Sequence, residues 1–195
     1  MARTCRLERK TTETHIKVDF NLDGRGEATI RTGIPFFDHM LQLFCVHGKF
    51  DGDIQAIGDL EVDFHHTVED VGLVLGEAVS KALDNRSGIR RYGFAVTPMD
   101  DALAEVVIDL SNRPFLVCHL PALVESEGRF DRGLAKEFFR AFSVKGGLNL
   151  HINVKYGENE HHILEAIFKA MGRALKQAVF VDADAIGVRS SKGVL

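Results

Sequence analysis

Residues 65–69 read His-His-Thr-Val-Glu, and residues 161–165 read His-His-Ile-Leu-Glu. The two stretches lie 96 residues apart in a chain of 195, so the motif recurs at about half the chain length. Each is followed by an apolar-rich run, Val71 to Leu83 in the first case and Ala166 to Val179 in the second. The first run ends in Glu-Ala-Val-Ser-Lys-Ala-Leu at 77–83, and the second contains Phe-Lys-Ala-Met-Gly-Arg-Ala-Leu at 168–175. Apolar residues recur at helical spacing in both, which predicts two long amphipathic helices opened by the motif. Self-similarity over so long a period points to a duplicated structural unit.

Working upstream from each motif, Phe50 to Ile57 and Leu148 to Val154 alternate as strands do. Before them, Pro35 to Phe44 reads as a short helix, with Pro35 in its first turn and Gly48 following its end. Its partner is Leu134 to Phe142, and on this alignment Glu137 stands opposite His39. Earlier still come extended segments at roughly 3–10, 14–22 and 26–32, with Asp23-Gly24 read as a tight turn. Their counterparts are roughly 92–97, 102–111 and 114–120. Each half therefore reads βββαβα, with Asn85 to Arg91 as the linker and half-domains at 1–90 and 91–195. The class is α+β. A four-stranded sheet with helices on one face must bury that face, so the expected architecture is a four-helix layer between two four-stranded sheets.

Composition narrows the function. Apolar residues make up 45% and charged residues 27%, with a net charge of −4. That balance is ordinary for a globular protein and gives no electrostatic reason to expect nucleic acid. No apolar run reaches membrane-spanning length, and the N-terminus lacks the apolar core of a signal peptide. Cys5, Cys45 and Cys118 are odd in number and widely spaced, which predicts reduced thiols in a cytoplasmic protein rather than a disulfide framework.

Histidine carries the chemistry. There are nine, four of them in the two adjacent pairs. On a helix, residues i and i+4 share a face, so His65 with Glu69, and His161 with Glu165, can hold one ion together. His66 and His162 are rotated by about 100° from their neighbours and should serve a different ion. His39 and Glu137 occupy matching places in the two short helices and are candidates to complete each shell. Core packing explains such a repeat poorly, because buried imidazoles need polar partners. Imidazole and carboxylate without thiolate fit Mn, Fe, Co, Ni or Zn. The motif is not HExxH, so a zincin protease is not indicated.

Several motifs together resemble the imidazoleglycerol-phosphate dehydratase family. They are Asp38-His39-Met40-Leu41, Asp63-Phe64-His65-His66-Thr67-Val68-Glu69-Asp70, Ser111-Asn112-Arg113-Pro114, His161-His162 with Glu165-Ala166-Ile167-Phe168-Lys169-Ala170, and Ser190-Ser191-Lys192-Gly193-Val194-Leu195. The resemblance runs over essentially the whole chain, in order. It implies a lyase of histidine biosynthesis that removes water from imidazole glycerol phosphate to give imidazole acetol phosphate. It also implies two Mn(II) ions per active site, formed between subunits of a homo-oligomer of 24 chains built from trimers. No second catalytic domain is expected.

By the same resemblance, Glu13 in Thr11-Thr12-Glu13-Thr14 lies near the reacting carbons, and Glu69 and Glu165 are further acid–base candidates. The substrate phosphate would be met by Arg91, Arg113, Lys169, Ser190, Ser191 and Lys192, assisted by His47. Gln42, His39, His65, His161 and Glu69 would line the rest of the substrate site. Some family members carry His where this chain has Glu137. The proton to be removed sits on carbon without an adjacent carbonyl. Two ions on the ring nitrogens would favour imidazolate, which expels the neighbouring hydroxyl through a diazafulvene-type intermediate. The rival readings are a dinuclear metallohydrolase acting on a phosphate ester, and a non-enzymatic module in which metal bridges subunits.

Overall fold

The computed structural model describes residues 3–121, 130–184, 187–193 and 195. Met1, Ala2 and, in the closing motif, Val194 lie outside the described residues. The elements run β1 (Thr4–Lys10), β2 (Thr14–Asn21), β3 (Ala28–Arg31), α1 (Pro35–Gly48), β4 (Asp51–Gly58) and α2 (His65–Leu83). They then repeat as β5 (Tyr92–Met99), β6 (Ala102–Asp109), β7 (Phe115–His119), α3 (Arg132–Gly146), β8 (Asn149–Tyr156) and α4 (Glu160–Ala178). The βββαβα order recurs as the repeat predicts.

Each half forms one four-stranded sheet, ordered β1-β2-β4-β3 and β5-β6-β8-β7. The last strand of each is parallel to its neighbour: Ala28 pairs with Gly52, and Phe115 with Asn149. The Asp23-Gly24 turn forms as the sequence predicts, but it does not join β2 to β3 as a hairpin, because β3 pairs with β4. It carries the chain past the end of β4, and Asp51 Oδ1 holds it there by accepting the backbone N–H groups of Arg25 (2.8 Å), Gly26 (3.2 Å) and Glu27 (3.1 Å). Gly24 is required because a Cβ there would lie 2.3 Å from the Asp51 nitrogen.

The helices pack across the halves. A Cβ on Gly76 of α2 would lie 2.5 Å from the Phe142 carbonyl oxygen of α3, and one on Gly172 of α4 would lie 2.4 Å from the Phe44 oxygen of α1. Each long helix thus crosses the other half's short helix at a glycine, backbone against backbone. Gly48 was expected beyond the end of α1, but it is the helix's last residue. It is glycine because Phe50 closes over it, with ring carbons 2.2 and 2.5 Å from a built Cβ. The left-handed position falls instead on Lys49, at φ 52°. Helix α3 starts earlier than expected, because the Asp131 side chain accepts the Leu134 N–H at 2.9 Å and caps it.

One aromatic seam runs through the helix layer. Phe20 stacks with Phe44 and tilts against Phe50 in the first half, Phe138 stacks with Phe168 and meets Phe139 edge-on in the second, and Phe37 meets Phe138 edge-on at 5.3 Å between them. The outer faces of the sheets differ. The first exposes Arg6, Glu8, Lys17, Asp19 and Asp53, whereas the second exposes Tyr92, Phe94, Val96, Val107 and Phe115. Among the described residues no helix is long and apolar enough to cross a membrane.

Candidate metal centre

The two histidine pairs open α2 and α4, where side chains set the first turn. Asp63 Oδ1 accepts the His65 N–H at 2.7 Å, and the Asn159 side chain accepts the His162 N–H at 3.2 Å. Beyond the pair, Val68, Val71 and Leu75 in α2, and Ile163, Ile167 and Met171 in α4, are buried at three- and four-residue spacing. That apolar stripe fixes each helix's rotation. In both pairs the rings lie 6.2 Å apart and nearly perpendicular, so the two imidazoles face different directions.

His39 from α1 reaches the α4 motif. Its Nε2 lies 3.0 Å from Glu165 Oε1, and His161 Nε2 lies 3.0 Å from the same oxygen. The three donor atoms fall within 4.8 Å of one another. Two donors each about 2.1 Å from an ion and at right angles to each other would be about 3.0 Å apart, so the spacing fits a cation in octahedral coordination. The Phe36 ring meets His161 edge-on at 5.1 Å and limits its movement. Burial works to raise the Glu165 carboxyl, but Lys169, His39 and His161 outweigh it and hold the group at about 2. Glu165 is thus an anionic donor at any ordinary pH.

The α2 copy is built differently. His65 Nε2 lies 3.5 Å from Glu69 Oε2, while the other Glu69 oxygen lies 3.7 Å from Arg140. Arg140 also pairs with Glu137, one turn before it on α3. Glu137 thus reaches the end of α2 that carries Glu69, as His39 reaches Glu165, but with a guanidinium between the two carboxylates. Among the described residues it does not join a three-donor cluster.

The second histidine of each pair is backed by a carboxylate that sequence reasoning missed. Asp59 Oδ2 lies 2.9 Å from His66 Nδ1, and Asp101 Oδ1 lies 2.5 Å from His162 Nδ1. A carboxylate on one ring nitrogen fixes the ring and leaves the other nitrogen to a metal. Glu13 stands exposed in the β1–β2 turn, and its charge acts on His66.

The anion-binding candidates divide into two groups. Lys169 Nζ lies 2.5 Å from Glu165 Oε2, next to the cluster. His47 is held below its usual value by burial and by the charges of Lys169 and Arg173. Gln42 is half-buried on α1, one turn beyond His39. Arg173 was not anticipated, and no local pattern on α4 distinguishes it from a solvated cation. The second group lies at the far end of α4. Arg91 binds Asp109 through two bonds of 2.6 and 3.0 Å, donates to the Arg189 carbonyl at 2.5 Å, and its N–H meets the Ala178 carbonyl at 2.9 Å. Arg113, just before β7, is at the same end of the sheet, because Phe115 and Asp109 flank the same Asn149. Ser190, Ser191 and Lys192 follow Arg189 there. Glu165 and Ala178 are thirteen helical residues apart, about 20 Å at 1.5 Å per residue.

Residues 32–175 match the family model described as imidazoleglycerol-phosphate dehydratase. The chain belongs to that family. It is 59% identical, over the full length of both chains, to the imidazoleglycerol-phosphate dehydratase of Desulfosudis oleivorans. That of Syntrophobacter fumaroxidans is also 59% identical, over 97% of this chain and 96% of its own. Among solved structures, the dehydratase of Pyrococcus furiosus superposes with a TM-score of 0.85 at 37% identity, covering 97% of this chain and 100% of that one. The Staphylococcus aureus dehydratase superposes at 0.82 with 36% identity, covering 91% and 99%. This imidazoleglycerol-phosphate dehydratase family, of hydro-lyases acting in histidine biosynthesis, thus accounts for the duplicated fold as well as for the paired motifs.

Proposed function

We propose that this protein dehydrates imidazole glycerol phosphate to imidazole acetol phosphate in the cytoplasm. The observation that carries this reading is the convergence of His39, His161 and Glu165, from two helices of different halves, in a chain of this family. The donor set fits a divalent transition metal, and manganese is the assignment we favour, with two ions per site. Bound to the two ring nitrogens of the substrate, such ions would act as Lewis acids and make the ring an electron source.

The residues divide the remaining work. His39, His161 and Glu165 hold one position, and His65, Glu69 and Glu137 frame its counterpart on α2. His66 and His162 point their free nitrogens elsewhere. Glu13 carries the proton: it removes hydrogen from the carbon next to the departing hydroxyl, and the resulting enol becomes the ketone. Glu69 and Glu165 are secondary candidates for proton transfer. His47 and Lys169, with Arg173, and in a separate group Arg91, Arg113, Ser190, Ser191 and Lys192, supply donors to the phosphate.

The substrate is on the order of 8 Å from ring to phosphate by standard bond lengths. One chain places the cluster and the tail about 20 Å apart along α4. The site is therefore completed by a second copy, in a homo-oligomer for which we favour 24 chains built from trimers. The apolar outer face of the second sheet, with Phe94 at 65% and Phe115 at 61% exposure, supports self-association.

The test is to incubate manganese-loaded protein with imidazole glycerol phosphate. An enolisable ketone without free phosphate is the expected result, lost after chelation. Release of inorganic phosphate would instead indicate a metallohydrolase.

A further inference from the structure

The two halves solve the same local problem with different residues. Glu13 immediately precedes β2, and Asp101 immediately precedes β6, so the two acids occupy equivalent turns. Asp59 immediately follows β4, and its counterpart after β8 is Gly157, which has no side chain. In the second half the turn acid backs the histidine. Asp101 Oδ1 meets His162 Nδ1, while Oδ2 accepts the N–H groups of Glu158 (2.6 Å) and Asn159 (3.0 Å) and ties the turn to the start of α4. In the first half the post-strand acid does it, with Asp59 on His66 Nδ1. No hydrogen bond or ion pair holds the Glu13 carboxylate among the described residues.

We propose that Asp59 and Asp101 are positioning residues that lock His66 and His162 through Nδ1 and so present each Nε2 outward, and that Asp59, by doing this work in the first half, frees the equivalent turn acid Glu13. Among the described residues, the Nε2 of His162 meets only the exposed Asp100 carboxylate at 3.5 Å, and that of His66 has no partner. A neutral imidazole carries one N–H, so a carboxylate accepting from Nδ1–H fixes that proton on Nδ1 and leaves a lone pair on Nε2. Duplication would otherwise give two identical turns. The divergence leaves one acid fixed and, among the described residues, one whose carboxylate has no hydrogen bond or ion pair.

This inference rests on the metal reading above, and the experiment separates them. Manganese affinity is measured by chelator competition for the parent protein and for Asp59→Ala, Asp101→Asn and Glu13→Gln. Metal-free melting temperature and the visible spectrum of the cobalt-substituted proteins are recorded alongside. Asp59→Ala and Asp101→Asn should weaken manganese binding about 10–100-fold and shift the cobalt bands, as loss of such a backing carboxylate does. Their metal-free melting temperatures should stay near the parent's. Glu13→Gln should bind manganese like the parent yet lose turnover. If Asp101→Asn melts early because its turn is released, Asp59→Ala decides. Parent-like affinity and spectrum in Asp59→Ala would overturn the inference. A parent that binds no manganese would overturn the metal reading instead.

Discussion

Glu165 has three partners, His39, His161 and Lys169, among the described residues. One oxygen faces two imidazoles and the other faces Lys169. Its place was legible in the sequence, because the i, i+4 relation to His161 is a property of any helix. That His39 joins it was only suggested by the repeat, since the contact spans 126 residues. His66 and His162 were legible as divergent ligands, but their backing acids were not. Asp59 is near His66 in sequence, yet Asp101 is 61 residues from His162, and no local rule connects them. Two substitutions test this scale. His66→Ala should leave the chain folded and empty one metal position, read by elemental analysis. Lys192→Ala should raise KM about 10–100-fold, the loss of one charged hydrogen bond, with the circular dichroism spectrum unchanged; unaltered kinetics would remove the tail from the site.

The glycines at the helix crossings decide how closely the elements approach. Gly76 and Gly172 occupy equivalent places and face equivalent backbone atoms, Phe142 and Phe44. The obstacle is main chain on both sides, so neither crossing can yield by a rotamer change. Gly172→Ala should cost at least about 1–3 kcal/mol of stability by urea denaturation, the usual penalty of overpacking. Helix phase was readable from the apolar stripe, but the partner of each helix was not: periodicity shows which face is buried, never against what. The Asp23-Gly24 stretch shows the same limit. Its residues favour a turn, and a turn forms, but the strand it leads to pairs elsewhere.

Asp51 supplies what that turn lacks. Burial tends to raise its carboxyl, yet the N–H groups of Arg25 and Glu27, the Asn21 amide and the Gly26 N–H outweigh this and hold it below its usual value. A folded-state value lowered this way contributes stability in full above the unfolded value near pH 4, and loses it as pH falls through the folded value. Asp51→Ala should therefore destabilise the protein by about 1–3 kcal/mol at neutral pH, the cost of leaving its donors unpaired. The gap from the parent should narrow below about pH 4, measured by urea denaturation across that range.

At the scale of the whole molecule, the histidine–carboxylate cluster and the Arg91 end of the chain lie at opposite ends of α4. If one substrate uses both, subunits must complement each other. His39→Ala and Lys192→Ala should each impair turnover alone. After unfolding together and refolding as a mixture, they should recover activity in roughly a quarter of the sites, as expected when each site draws on two randomly mixed subunits. No recovery, with assembly intact by light scattering, would place the whole site within one chain.

The sequence by itself determined the duplication, the order of elements and the direction in which each motif's first histidine and glutamate point, because these follow from repeat spacing and helix geometry. Only the tertiary structure decided which short helix supplies the third donor, which acids back the second histidines, and that a guanidinium stands between Glu69 and Glu137. The reason is physical. Helical phase is set by neighbours a few residues away, whereas these contacts join residues that only the packing of the two halves brings within a few ångströms.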